Sequence, residues 1–135
     1  MAFSSSSSAK PTSIPFGNGL LIRPTADGGW EVCSNAECWP LNEQESWRAV
    51  ALLEQPLTDV RAALARLGRD EVPLSRVVNA ALSMSAHWAE LALRWAADFT
   101  AVERQAIEPA LRSVQSAPWA KQKLKHTARR LAKTA

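Results

Sequence analysis

The sequence predicts a mainly α protein, with an N-terminal β-hairpin packed on a compact bundle or short solenoid of about five helices. Three observations carry this expectation. Hydrophobic residues make up 47% of the 135 positions, enough to bury one core in a chain of single-domain length. From residue 41 onward apolar side chains recur at three- and four-residue steps, the repeat of one helix face. Before that point, two short apolar runs flank the turn-rich stretch Pro24-Thr25-Ala26-Asp27-Gly28-Gly29.

The elements follow in chain order. Residues 1–18 read as a disordered Ser/Pro-rich arm, with five consecutive serines (Ser4 to Ser8) and then Pro11, Pro15, Gly17 and Asn18. Ile14 and Phe16 are candidates to pin the end of this arm onto the domain. A single domain occupies 19–135, made of a β-hairpin and exit loop (19–40), a helical body (41–117) and a basic amphipathic C-terminal helix (118–135). In the hairpin, Leu20-Leu21-Ile22 opposes Trp30-Glu31-Val32-Cys33, whose alternation puts Trp30 and Val32 on one face. Asn42 with Glu45 spells a capping box for a first helix running to Gln55, where Pro56 ends it. Leu57, Val60, Leu64 and Leu67 mark a second helix closed by Gly68. Asp70 caps a third, with Pro73 in its first turn.

That third helix is expected to be long, because Leu74, Val77, Val78, Ala81, Trp88, Ala92, Trp95 and Phe99 continue one apolar face. Thr100 and Glu103 spell another capping box, opening a helix with the stripe Ile107, Leu111, Val114. Pro109 lies inside it and predicts a kink or break near Ala106. Pro118 is placed to start the last helix.

Charge is unevenly distributed. The net charge is +3, yet Lys121, Lys123, Lys125, Arg129, Arg130 and Lys133 give residues 119–135 a charge of +6 with no acid among them. The ten basic residues before them face all thirteen acids, leaving the body at −3. The basic pI near 9.2 therefore belongs to the C-terminal segment and says little about the body. The N-terminus has neither a basic region nor an apolar stretch of the kind that makes a secretory signal, and the expected location is the cytoplasm. Signal-less specialised export remains compatible with the Ser-rich start. The Ala/Arg/Leu-rich style is that of small bacterial helical proteins.

Candidate chemistry is sparse. On a helical wheel, Lys121, Lys125, Arg129, Lys133, His126, Arg130 and Lys123 cover roughly 200°, with Trp119 among them. Thr127, Ala120, Leu131, Leu124 and Ala128 fill the narrower arc left for docking. This basic face suits a polyanion, with Trp119 stacking on a base, or an acidic protein partner. A third use is internal, as a clamp on body acids such as Glu43, Glu45 or Glu54. Trp30 and Trp39 flank the two cysteines and are candidate interface anchors, as tryptophans are enriched at hot spots. Trp47 follows closely.

Cys33 and Cys38 lack the third and fourth ligands of a zinc site, since the two histidines, His87 and His126, fall on different helices. Two ordinary thiols are expected. Ser83, His87 and Glu90 share one helix, an arrangement that rarely aims a nucleophile at a substrate. No phosphate loop, nucleophile elbow or paired-carboxylate pattern occurs. The residues thus lead to a non-enzymatic protein–protein interaction module (adaptor, immunity or chaperone-like), without cofactor or metal. The alternative is a nucleic-acid-binding protein using the C-terminal helix.

Overall fold

The structure, a computed structural model, describes residues 13–17, 19–42, 44–67 and 74–133. The N-terminal serines, Glu43 and the predicted helix-end residues Gly68, Asp70 and Pro73 lie outside the described residues. The fold is mainly α with an antiparallel sheet at the N-terminal side, as the sequence predicts.

The predicted hairpin is the centre of a larger sheet. Strands β1 (Ile14–Pro15), β2 (Leu21–Pro24), β3 (Trp30–Cys33) and β4 (Cys38–Pro40) form an antiparallel meander in that order. The β2–β3 reversal is built as expected. Gly28 sits at φ +91°, where a side chain would be strained, and the Gly29 N–H donates to both Thr25 Oγ1 and Asp27 Oδ1 at 3.1 Å. Register places Ile14 beside Ile22, Ile22 beside Val32, and Val32 beside Trp39. Ile14, Ile22, Val32 and Trp30 are buried in the common core. Ile14 and Phe16, assigned to the arm by sequence, are therefore core residues, because β1 adds a strand too short to show a period. Pro15 and Pro40 sit on the two outer strands.

The helical body departs from expectation in four places. The first helix, Ser46–Glu54, is a 3-10 helix, entered by a turn in which Asn42 Oδ1 accepts from the Gln44 and Glu45 N–H groups. After it, α1 (Leu57–Arg66) buries Leu57, Val60 and Leu64 as predicted. The single long helix is in fact two, α2 (Leu74–Leu82) and α3 (Ala86–Ala97), separated at Ser83-Met84-Ser85. Ser85 adopts an extended backbone and its hydroxyl accepts the Trp88 N–H, which caps a new helix instead of continuing the old one. Conversely, α4 (Ala101–Gln115) runs unbroken through Pro109. The Pro109 ring is exposed, and the helix continues past the missing N–H, which would have bonded the Gln105 carbonyl. The Thr100–Glu103 capping box at its start is present in both directions. Finally, α5 (Gln122–Lys133) begins later than Pro118, with Trp119 and Ala120 in the preceding turn.

α2 packs against the 3-10 helix, α3 and α4, while α3 and α4 both pack against α5. These non-sequential contacts bring α3 beside α5, although α4 separates them in the chain. Trp95 fixes α3 to the end of the 3-10 helix by donating its indole N–H to the Gln55 carbonyl at 3.0 Å. Arg76 reaches across from α2 to the Leu41 carbonyl beneath the sheet at 2.8 Å.

Candidate functional site

The C-terminal helix docks through the arc the wheel assigns to it. Ala120, Ala128 and Leu131 are buried, and Leu124 packs partly against the core. Lys121, Lys123, Arg129, Arg130 and Lys133 are exposed, and Lys125 is half-buried. Among the described residues none of Lys121, Lys123, Lys125, Arg129, Arg130 and Lys133 forms an ion pair. The clamp on body acids is absent there: Glu45 pairs instead with Arg48 at 2.6 Å. Among the described residues, all five ion pairs lie in the sheet and the preceding helices.

The docked position divides the basic face in two. Lys121, Lys123 and Arg130 turn toward α3 and border a groove of about 450 Å³ between α3 and α5. Lys125, His126, Arg129 and Lys133 lie outside that groove on the remaining arc. The α3 wall rises through His87, Glu90, Leu93, Arg94 and Ala97, which share a face at three- and four-residue steps. Leu93 and Leu124 supply the apolar lining. Glu90, the groove's one acid, is paired with Arg94 at 2.8 Å, so the rim remains cationic.

Trp119 does not join the basic face. It lies half-buried in the turn before α5 and packs against the core. The tryptophan anchors also move. Trp30 is a core residue, 6% exposed, because it shares the inward face of β3 with Val32. Trp39 is half-buried under the Arg48 guanidinium, 3.9 Å from its ring centre. The exposed tryptophan is Trp47, 47% accessible, with the same guanidinium 4.5 Å from its ring.

The α2–α3 break removes Ser83 from the helix that carries His87 and Glu90. Ser83 donates its hydroxyl to the Ala80 carbonyl, His87 makes an edge contact with Trp88, and Glu90 holds Arg94. The cysteines are not thiols. Cys33 and Cys38 are direct cross-strand partners on β3 and β4 and form a disulfide, a proximity visible only once β4 is recognised. Glu31 joins them in a cluster whose ligand atoms lie within 4.8 Å, one short of a closed zinc site and with the Arg23 guanidinium already upon it.

The Glu103 carboxyl is displaced from its ordinary value. Burial raises Glu103, but hydrogen bonds from Arg61 and from the backbone N–H and hydroxyl of Thr100, with the charge of Arg61, outweigh it and hold the carboxyl below 4.5. The 2.9 Å Arg61–Glu103 pair joins α1 to the start of α4. Among the described residues no helix is long and apolar enough to cross a membrane. No family model, curated protein or solved structure matches the chain.

Proposed function

We propose that the protein is a non-enzymatic protein–protein interaction module whose α3–α5 groove receives an acidic, amphipathic segment of a partner. The observation that supports this reading is the rim of Lys121, Lys123 and Arg130, without ion pairs among the described residues, around the apolar Leu93 and Leu124. An exposed ion pair is worth only ~0–1 kcal/mol, so charge alone gives weak, salt-labile association. Apolar side chains seated between the two helices add affinity, and the cations set polarity and on-rate. The chemistry fits a cytoplasmic adaptor, immunity or chaperone-like role.

The test uses a synthetic acidic peptide with leucines at i and i+4 spacing and glutamates elsewhere, titrated by fluorescence anisotropy. Mixed-sequence DNA and RNA serve as rival probes at low and moderate salt. The proposal expects peptide binding that weakens more than tenfold in the Lys123→Glu/Arg130→Glu double variant and survives Lys125→Glu/Arg129→Glu. Binding of DNA or RNA near 50 mM salt, with both pairs of cations contributing alike and no peptide bound, replaces it with the nucleic-acid reading.

A further inference from the structure

The outward face of the sheet carries a second arrangement, independent of the groove. The two sulfurs of the Cys33–Cys38 disulfide have unequal surroundings: Cys33 is 4% exposed, whereas Cys38, on the outer strand, is open to solvent. Arg23 of β2 reaches over β3 to place Nη2 3.5 Å from Cys38 Sγ. It is steadied there by Nε donating to Glu31 at 2.5 Å. We propose that Cys33 and Cys38 form a reversible thiol–disulfide exchange site, with Cys38 meeting an external low-molecular-weight thiol and Cys33 acting as the resolving sulfur.

Three physical requirements of exchange meet at this spot. Attack needs access to one sulfur, and only Cys38 offers it. The exchanging sulfur must be comfortable as a thiolate; the Arg23 guanidinium in hydrogen-bond contact favours that form, against the partial opposition of the Glu31 carboxylate within 4.8 Å. The scaffold must outlast the bond. Here the disulfide closes a short loop that is also held by the Ser34 N–H on the Glu37 carbonyl at 2.8 Å, and the Ser34 hydroxyl accepts from the Ala36 and Glu37 N–H groups. The core side of β3 is carried by Trp30 and Val32 and does not involve the sulfurs.

The electron count closes. An external thiolate attacks Cys38 Sγ, the Cys33–Cys38 bond breaks, and its electron pair leaves on Cys33, which takes up the proton the external thiol gave off. A second external thiolate then attacks the external sulfur of the mixed disulfide and releases Cys38 as a thiolate beside Arg23. Two external thiols have become one external disulfide, and two electrons have passed to the protein pair. Oxidation runs the same steps backward, with Cys38 attacking an external disulfide and Cys33 displacing the external thiolate.

The experiment uses the full chain and the glutathione couple as probe. In oxidised wild type, millimolar reduced glutathione should open the disulfide while the far-ultraviolet circular dichroism stays native. In Cys33→Ser, oxidised glutathione should form a mixed disulfide on Cys38, read by mass spectrometry. Cys38→Ser should react at Cys33 at least tenfold more slowly. Adding Arg23→Gln to Cys33→Ser should slow the adduct about threefold at pH 7, because part of the lost thiolate fraction is returned as higher nucleophilicity. It should also move the alkylation profile of Cys38 to higher pH. The proposal is overturned if the wild-type disulfide opens only in denaturant, if Cys33 reacts as fast as Cys38, or if Arg23→Gln leaves rate and profile unchanged.

Discussion

The N-terminal sheet and the C-terminal helix are attached to the same body by opposite uses of their side chains. The sheet commits its inward face to the fold, with Ile14, Ile22, Trp30 and Val32 in the core, and pairs its Arg23 with Glu31 on the outward face. Helix α5 and the turn before it bury Ala120, Ala128 and Leu131, pack Leu124 and Ala132 partly against the core, and leave the cations outside every ion pair among the described residues. Charge that folding does not use is charge available for recognition. On the reading proposed above, that contrast is what marks the C-terminal helix, and not the core side of the sheet, for recognition.

Substitutions can break or sharpen the contrast, and the core ones carry most weight. Ile22→Ala, at a site 1% exposed, should cost about 3 kcal/mol in urea unfolding. Leu131→Ala, at the edge of the core, should cost about 2 kcal/mol. Equal costs would mean that α5 is as deeply integrated as the sheet. Next, Thr100→Ala should remove about 1 kcal/mol by stripping the cap from α4, measured the same way.

Acid titration tests the Glu103 environment. Its folded-state carboxyl titrates below 4.5, so its stabilisation is complete above that value and is lost as the pH falls through the folded one. Glu103→Gln should therefore lose less stability than wild type between pH 5 and pH 2. The smallest effect is the most diagnostic. Replacing Lys121, Lys123 and Arg130 together by Gln should shift unfolding by no more than ~0.5 kcal/mol, because no fold-supporting partner is lost. A shift of several times that size would make these cations structural.

Sequence made the parts legible where local chemistry decides them. Asp27-Gly28-Gly29 fixes its turn by conformational necessity, and Thr100 with Glu103 marks its helix end reciprocally. The basic helix and its docking edge followed from periodicity alone. The break at Ser83-Met84-Ser85 escaped because the apolar face continues across it, and only the Ser85 side chain three residues before Trp88 hints at a cap. Pro109 misled in the other direction: the helix runs on through it with the ring turned to solvent, an outcome that the proline itself does not announce. The groove was out of reach because its walls are α3 and α5, and their adjacency is a product of packing. The cysteine pair likewise waited on the β3–β4 register.

The two prolines on the outer strands have a consequence for assembly. An open sheet invites a further strand, from another copy or from a foreign chain, wherever a row of free N–H and C=O groups is left at its margin. Here one margin is the two-residue Ile14–Pro15 and the other ends in Pro40, so each lacks a donor where an incoming strand would need one. Among the described residues both margins of the sheet therefore resist strand-by-strand growth, a guard against edge-to-edge aggregation.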